Sequence, residues 1–145
     1  LRNRYGADNV IASDIREGSE SLMQSGPFEL LDATNYAAIE DVVMHYEIDE
    51  IYLMAAMLSA TAEKFPMRAW NLNMNSLFNV LNLVKDSKIT KVFWPSSIAV
   101  FGPNTPKEGT PQSTIMEPST VYGISKQSGE RWCEYYFKKY KTNGN

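Results

Sequence analysis

Tyr122 and Lys126 stand four residues apart in the string YGISK, and on a helix that spacing raises both side chains from one face, one turn apart. A phenol titrates near ~10 in water and makes a poor base at neutral pH, but an ammonium within about 4 to 6 Å stabilises the phenolate and lowers that value. The same ammonium can donate to a ribose hydroxyl of a bound nucleotide. Such pairs also arise on many solvated helix faces, so the spacing alone does not define a site. Ser96 and Ser97 close the apolar run KVFWPSS, well ahead of the tyrosine. A hydroxyl at the carboxyl end of a strand can hold a substrate oxygen while a base removes its proton. A serine pair is equally suited to capping the turn that follows a strand.

These groups need elements to position them. Residues 9–15 and 28–33 are short apolar runs closed by polar residues and read as strands. In residues 35–46, Tyr36, Ile39, Val43 and Tyr46 recur three or four apart, the spacing of an amphipathic helix. Strands are again expected over 50–56 and 91–98. Between them runs a long helix over 66–85, opened by a proline in its first turn. Residues 103–120 hold four prolines and a glycine and must form a loop, after which a helical pattern covers 121–141. Strands that are apolar on both faces and alternate with helices predict an α/β fold: a doubly wound, Rossmann-like parallel sheet with right-handed crossovers, in one domain spanning 1–145.

In such a sheet the second strand ends in an acidic residue about 20 positions after a glycine-rich phosphate loop. Asp14 closes the run VIASD, so that loop and the first strand are expected ahead of Leu1, with residues 1–5 as the tail of the following helix. Asp14 is also the kind of carboxylate that caps an ordinary turn. Facing a ribose, its charge would repel a 2′-phosphate and favour NAD over NADP, an inference that Arg16 weakens. The first residue is Leu, and the pattern stops abruptly at Lys141, so the sequence reads as part of a longer protein.

Composition narrows the classes further. With 43% hydrophobic and 21% charged residues, the 145-residue chain falls in the range of one globular domain. A formal charge of -3 without a Lys/Arg cluster argues against nucleic acid and for a small molecule as partner. Cys133, the single cysteine, can form neither an internal disulfide nor a metal site by itself, which fits a reducing cytoplasm. No apolar run reaches the roughly 18 residues that span a bilayer. His45, the single histidine, reads as a structural residue, and the aromatic run Trp132, Tyr135, Tyr136 and Phe137 as packing or an oligomer interface.

The strings MAAMLSATAE, NLNMNSLFNVLNL, FWPSSIAVFGP and EPSTVYGISKQSGERWCEYY resemble the epimerase-like L-threonine 3-dehydrogenases of the extended short-chain dehydrogenase/reductase family. The resemblance runs from about Asn9 to Tyr140, and the broader nucleotide-sugar epimerase pattern is met as well. It implies oxidation of the L-threonine hydroxyl to 2-amino-3-ketobutyrate with NAD and no metal. Tyr122 then matches the general base, Lys126 the nicotinamide-ribose partner and Ser97 the hydroxyl beside the substrate, with Ser96 as its neighbour. Asp14 and Ile15 match the adenosine-ribose contact, and Asp32 with Ala33 the adenine contact. Met54, Ala55 and Ala56 match the strand end that approaches the cofactor, Ser59 a substrate-contacting serine, and Leu72 and Asn73 the helix that faces the cofactor or braces the site. The resemblance also implies a homodimer, and a substrate-closing C-terminal domain beyond residue 145.

Overall fold

A computed structural model describes residues 1–140 of the chain. After the short α1 (Arg2–Tyr5) come β1 (Ala12–Asp14), α2 (Glu20–Gln24), β2 (Phe28–Leu30), α3 (Tyr36–His45), β3 (Glu50–Tyr52), α4 (Ser59–Lys64), α5 (Pro66–Lys85), β4 (Lys91–Phe93), a 3-10 turn (Ile98–Val100) and α6 (Val121–Tyr140). The helix expected over 121–141 is present through Tyr140, and Lys141 lies outside the described residues. Local chemistry sets several of these ends. Asn35 caps α3 by accepting from the Ala38 amide at 3.2 Å, and Pro66 opens α5, where a missing N–H costs nothing.

All strand pairing is parallel. β1 lies beside β2 with Ala12 opposite Phe28, and β3 beside β4 with Glu50 opposite Lys91. The two pairs are separate two-stranded ladders, in keeping with the incomplete doubly wound sheet that the sequence predicts. Each of the four strands has one bonded neighbour and spans three residues, less than the predicted apolar run. The run expected over 91–98 stops at Phe93. Pro95 has no amide to donate, and Ser97 turns the chain into the 3-10 segment by accepting from the Ala99 amide.

The core forms around α5. Met74, Leu77, Val80, Leu81, Leu83 and Val84 meet Ile39 and Val43 of α3 and Leu53, Ile89 and Val92 at the strands, with Trp94, Cys133 and Tyr136 packed against them. The accessible surface of 9465 Å² exceeds the roughly 7500 Å² typical of a compact monomer of 16.4 kDa. Large apolar side chains account for part of the excess, with Leu30, Met54 and Ile98 exposed at 62%, 66% and 85%. Among the described residues no helix is long and apolar enough to cross a membrane.

Two outcomes follow. Leu77→Ala, at a fully buried position on the central helix, should lower unfolding free energy by about 2–5 kcal/mol in urea titrations. Burial pushes the Cys133 thiol up to about 11, so alkylation at pH 8 should be slow until the protein unfolds. Because the folded value is raised, the thiol favours the folded state below about 9 and that contribution fades as pH climbs towards 11. Cys133→Ala should remove this alkaline decline.

Candidate active site

Parallel strands place the segments that leave their carboxyl ends at one edge of each pair, and the chemistry-bearing residues gather in those segments. Asp14 ends β1, the stretch 54–58 follows β3, and Ser97 follows β4. Tyr122 and Lys126 rise from the first turns of α6.

The start of α6 is held from three directions. Thr120 accepts from the Gly123 amide at 3.0 Å, and Glu63 of α4 accepts from the Val121 amide at 2.8 Å, putting a carboxylate at the positive end of the helix. The third support is Asn73, only 4% exposed on α5. Its Oδ1 accepts from the Met57 amide at 2.8 Å, while its Nδ2 donates to the Met57 carbonyl at 3.3 Å and to Ser125 Oγ at 3.1 Å. Ser125 in turn donates to the carbonyl of Tyr122 at 2.7 Å. One buried amide thus ties the stretch after β3 to the turn that carries the tyrosine. Gly123 permits a close approach here, because a Cβ would stand 2.1 Å from the carbonyl oxygen of Ala99.

Lys126 is 4% exposed. Its ammonium donates to the Pro95 carbonyl at 2.7 Å and lies 4.2 Å from the Trp94 ring centroid and 5.7 Å from that of Tyr122. Burial holds its titration below the ordinary lysine range, against a smaller opposing effect of Cys133. The segment 94–97 and the helix that carries Tyr122 are therefore joined through Lys126, and Ser97, half-buried, stands at that junction as the cap of the 3-10 turn. Ser96 is turned elsewhere: its hydroxyl donates to Glu130, two turns along α6 from Tyr122.

The other predicted residues line the strand ends. Asp14 and Ile15 open a cavity of about 400 Å³ with Ser13, Arg16, Gly18, Leu22 and Phe28. One Asp14 carboxylate oxygen accepts from the Arg16 amide at 3.1 Å, which leaves the other to accept a hydroxyl proton. Glu17 also lines the cavity, whose apolar part is Ile15, Leu22 and Phe28; the Asp14 carboxylate beside these side chains fits the nucleoside end of a dinucleotide. Asp32 is engaged locally: it accepts from the Thr34 amide at 2.8 Å and hydroxyl at 2.7 Å, bonds that lower its titration. The Ala33 carbonyl accepts from Asn79 at 3.0 Å. Met54 and Ala55 are exposed, Ala56 and Leu72 half-buried, and Ser59 lies exposed at the start of α4. Sequence reasoning named Asn73 as a brace but missed Glu63, Thr120 and Trp94. A threonine directly before a helix is a readable cap signal, whereas Glu63 acts across 58 residues and Trp94 through a tertiary contact.

The chain belongs to the NAD dependent epimerase/dehydratase family, whose pattern matches residues 3–144. An uncharacterised epimerase/dehydratase of Staphylococcus saprophyticus is 50% identical over 140 residues, covering 96% of this chain and 43% of the relative. Two solved structures share the arrangement at TM-score 0.94. A GalE-like L-threonine dehydrogenase from Cupriavidus necator in its holo form is 49% identical, with 99% of this chain and 47% of that one covered. An L-threonine dehydrogenase from Clostridium difficile is 46% identical, with 99% and 46% covered. The chain thus spans less than half the length of the relatives it matches.

Asn73→Ala should destabilise the protein by about 1–3 kcal/mol, since it strands the buried Met57 amide. Hydrogen exchange at that amide should accelerate more than at the α3 amides.

Proposed function

We propose that this chain forms the nucleotide-binding and catalytic-residue portion of an NAD-dependent L-threonine 3-dehydrogenase. The observation that carries the reading is Lys126, a buried ammonium placed between the Ser97 segment and the Tyr122 ring, in a chain that is 46 to 49% identical to two solved L-threonine dehydrogenases. When bound, NAD supplies the acceptor for the hydride that leaves the carbinol carbon. Asp14 and Ile15 hold the adenosine ribose, with Asp32, Ala33, Met54, Ala55, Ala56 and Leu72 along the same edge. Tyr122 takes the proton of the L-threonine hydroxyl, Ser97 hydrogen-bonds that oxygen, and Lys126 holds a ribose hydroxyl and keeps positive charge beside the phenol. Ser59 contacts the substrate side, and Ser96 would join it only on releasing Glu130. The product is 2-amino-3-ketobutyrate.

A second reading, a nucleotide-sugar epimerase or dehydratase, is favoured by the 50% identity to the Staphylococcus epimerase/dehydratase. It would use the same tyrosine, lysine and serine, and the substrate separates the two. We further place a homodimer contact on the aromatic face of α6 that carries Trp132 and Tyr135, which are 40% and 43% exposed.

With the full-length protein, NADH formation from L-threonine, with no conversion of a UDP-sugar, is the expected result. Tyr122→Phe should lower that turnover at least ~100-fold, the usual contribution of a positioned base, while NAD affinity measured by calorimetry changes little. Unchanged turnover would remove Tyr122 from the chemistry.

A further inference from the structure

Trp94 lies just beyond β4, with its indole flat against α6 at Gly129. A Cβ at position 129 would stand 2.3 Å from Cη2 of the ring and 2.8 Å from Cζ2, so any larger residue there pushes the indole away. Gly129 is one turn beyond Lys126 on the same helical stripe. The groove that admits the ring is therefore the groove beneath the lysine. The ammonium sits 4.2 Å from the ring centroid while donating to the carbonyl of Pro95, the next residue along. Among the described residues no carboxylate pairs with Lys126. Its titratable neighbours on α6 are Tyr122, Cys133 and, one turn on, Glu130, whose carboxylate is bonded to Ser96; the strand-end segment offers the ammonium a carbonyl and a π face.

We infer that Trp94, seated by Gly129, is a positioning residue for Lys126: the indole face replaces the hydration that burial removes and fixes the ammonium between the Ser97 segment and Tyr122. The catalytic consequence rests on the dehydrogenase reading, and the contact itself does not. A π face favours the protonated amine, whereas an aliphatic wall gives the same burial without that attraction. Burial already draws the Lys126 titration downward, so loss of the ring should lower it by about one further unit.

The test uses the full-length protein carrying lysine labelled with carbon-13 at Cε, with the Lys126 signal assigned by its absence in Lys126→Met. In the unsubstituted protein the ring current of Trp94 should shift the Lys126 ε protons upfield. Trp94→Leu should abolish that shift and lower the titration midpoint by about one unit, while Trp94→Phe keeps most of both. Gly129→Ala should imitate Trp94→Leu although it touches neither the charge nor the ring chemically and improves helix propensity. In the Trp94→Leu background the alanine should add nothing, because the shorter side chain leaves room for it. A Lys126 signal and titration unchanged in both Trp94→Leu and Gly129→Ala, or a midpoint that rises, overturns the proposal. Because Gly129→Ala and Trp94→Phe keep the core filled, the result stands even if Trp94→Leu does not fold. The alkaline limb of L-threonine oxidation should follow the lysine midpoint across the series. Should the unsubstituted protein not oxidise L-threonine, the function reading fails while the resonance data still decide the contact.

Discussion

A lysine ammonium that is 4% exposed, with a carbonyl and an indole for company instead of a carboxylate, is the constraint around which this structure is organised. Burying a charge without an ionic partner costs several kcal/mol in general, and an aliphatic side chain of the same length would fill the space at less cost. The fold tolerates the charge because the groups around it are small or aimed at it. Gly123 and Gly129 bring α6 onto the segment after β4, and Ser125 and Asn73 absorb each other's polarity beside it. The surroundings of Lys126 are therefore better explained by chemistry than by stability.

The same logic extends along the carboxyl edge of the strands. Helices pack through α5, whose inner face is apolar, but its Asn73 is spent on the stretch after β3 and on the turn of Tyr122. Glu63 reaches from α4 to the head of α6. Elements that pair parallel deliver their following loops to one side, and α4 and α5 lock those loops against α6. Asp14, the 54–58 stretch, Ser97 and the Tyr122 helix are thus carried on rigid supports, with the proline-rich loop before α6 bound in through Gln127 and the Met116 carbonyl at 2.7 Å.

Much of this was legible in the residues. The three- and four-residue spacing from Tyr36 to Tyr46, the proline at the head of α5 and the proline density over 103–120 each follow from local stereochemistry, which is why those elements appear where they are expected. Strand extent was not legible, because a ladder depends on neighbours that hydrophobic pattern does not reveal, and each of the four strands, bonded to one neighbour, spans three residues. Ser96 and Ser97 lie in an irregular segment between β4 and the 3-10 turn, so the sequence alone does not show one hydroxyl on Glu130 and the other at the junction with α6. Asp32 and Ala33 follow β2 where they are expected, yet Thr34 engages one Asp32 oxygen and Asn79 the Ala33 carbonyl, a local competition that spacing cannot show.

The most direct measurement is a comparison of Lys126→Met with the unsubstituted full-length protein in both stability and turnover, since methionine keeps the length of the side chain and removes its charge. The account predicts unchanged or raised unfolding free energy together with a loss of at least ~100-fold in L-threonine oxidation. A variant that unfolds readily while its folded fraction keeps full activity would contradict it, because the buried ammonium would then be serving the fold and not the reaction.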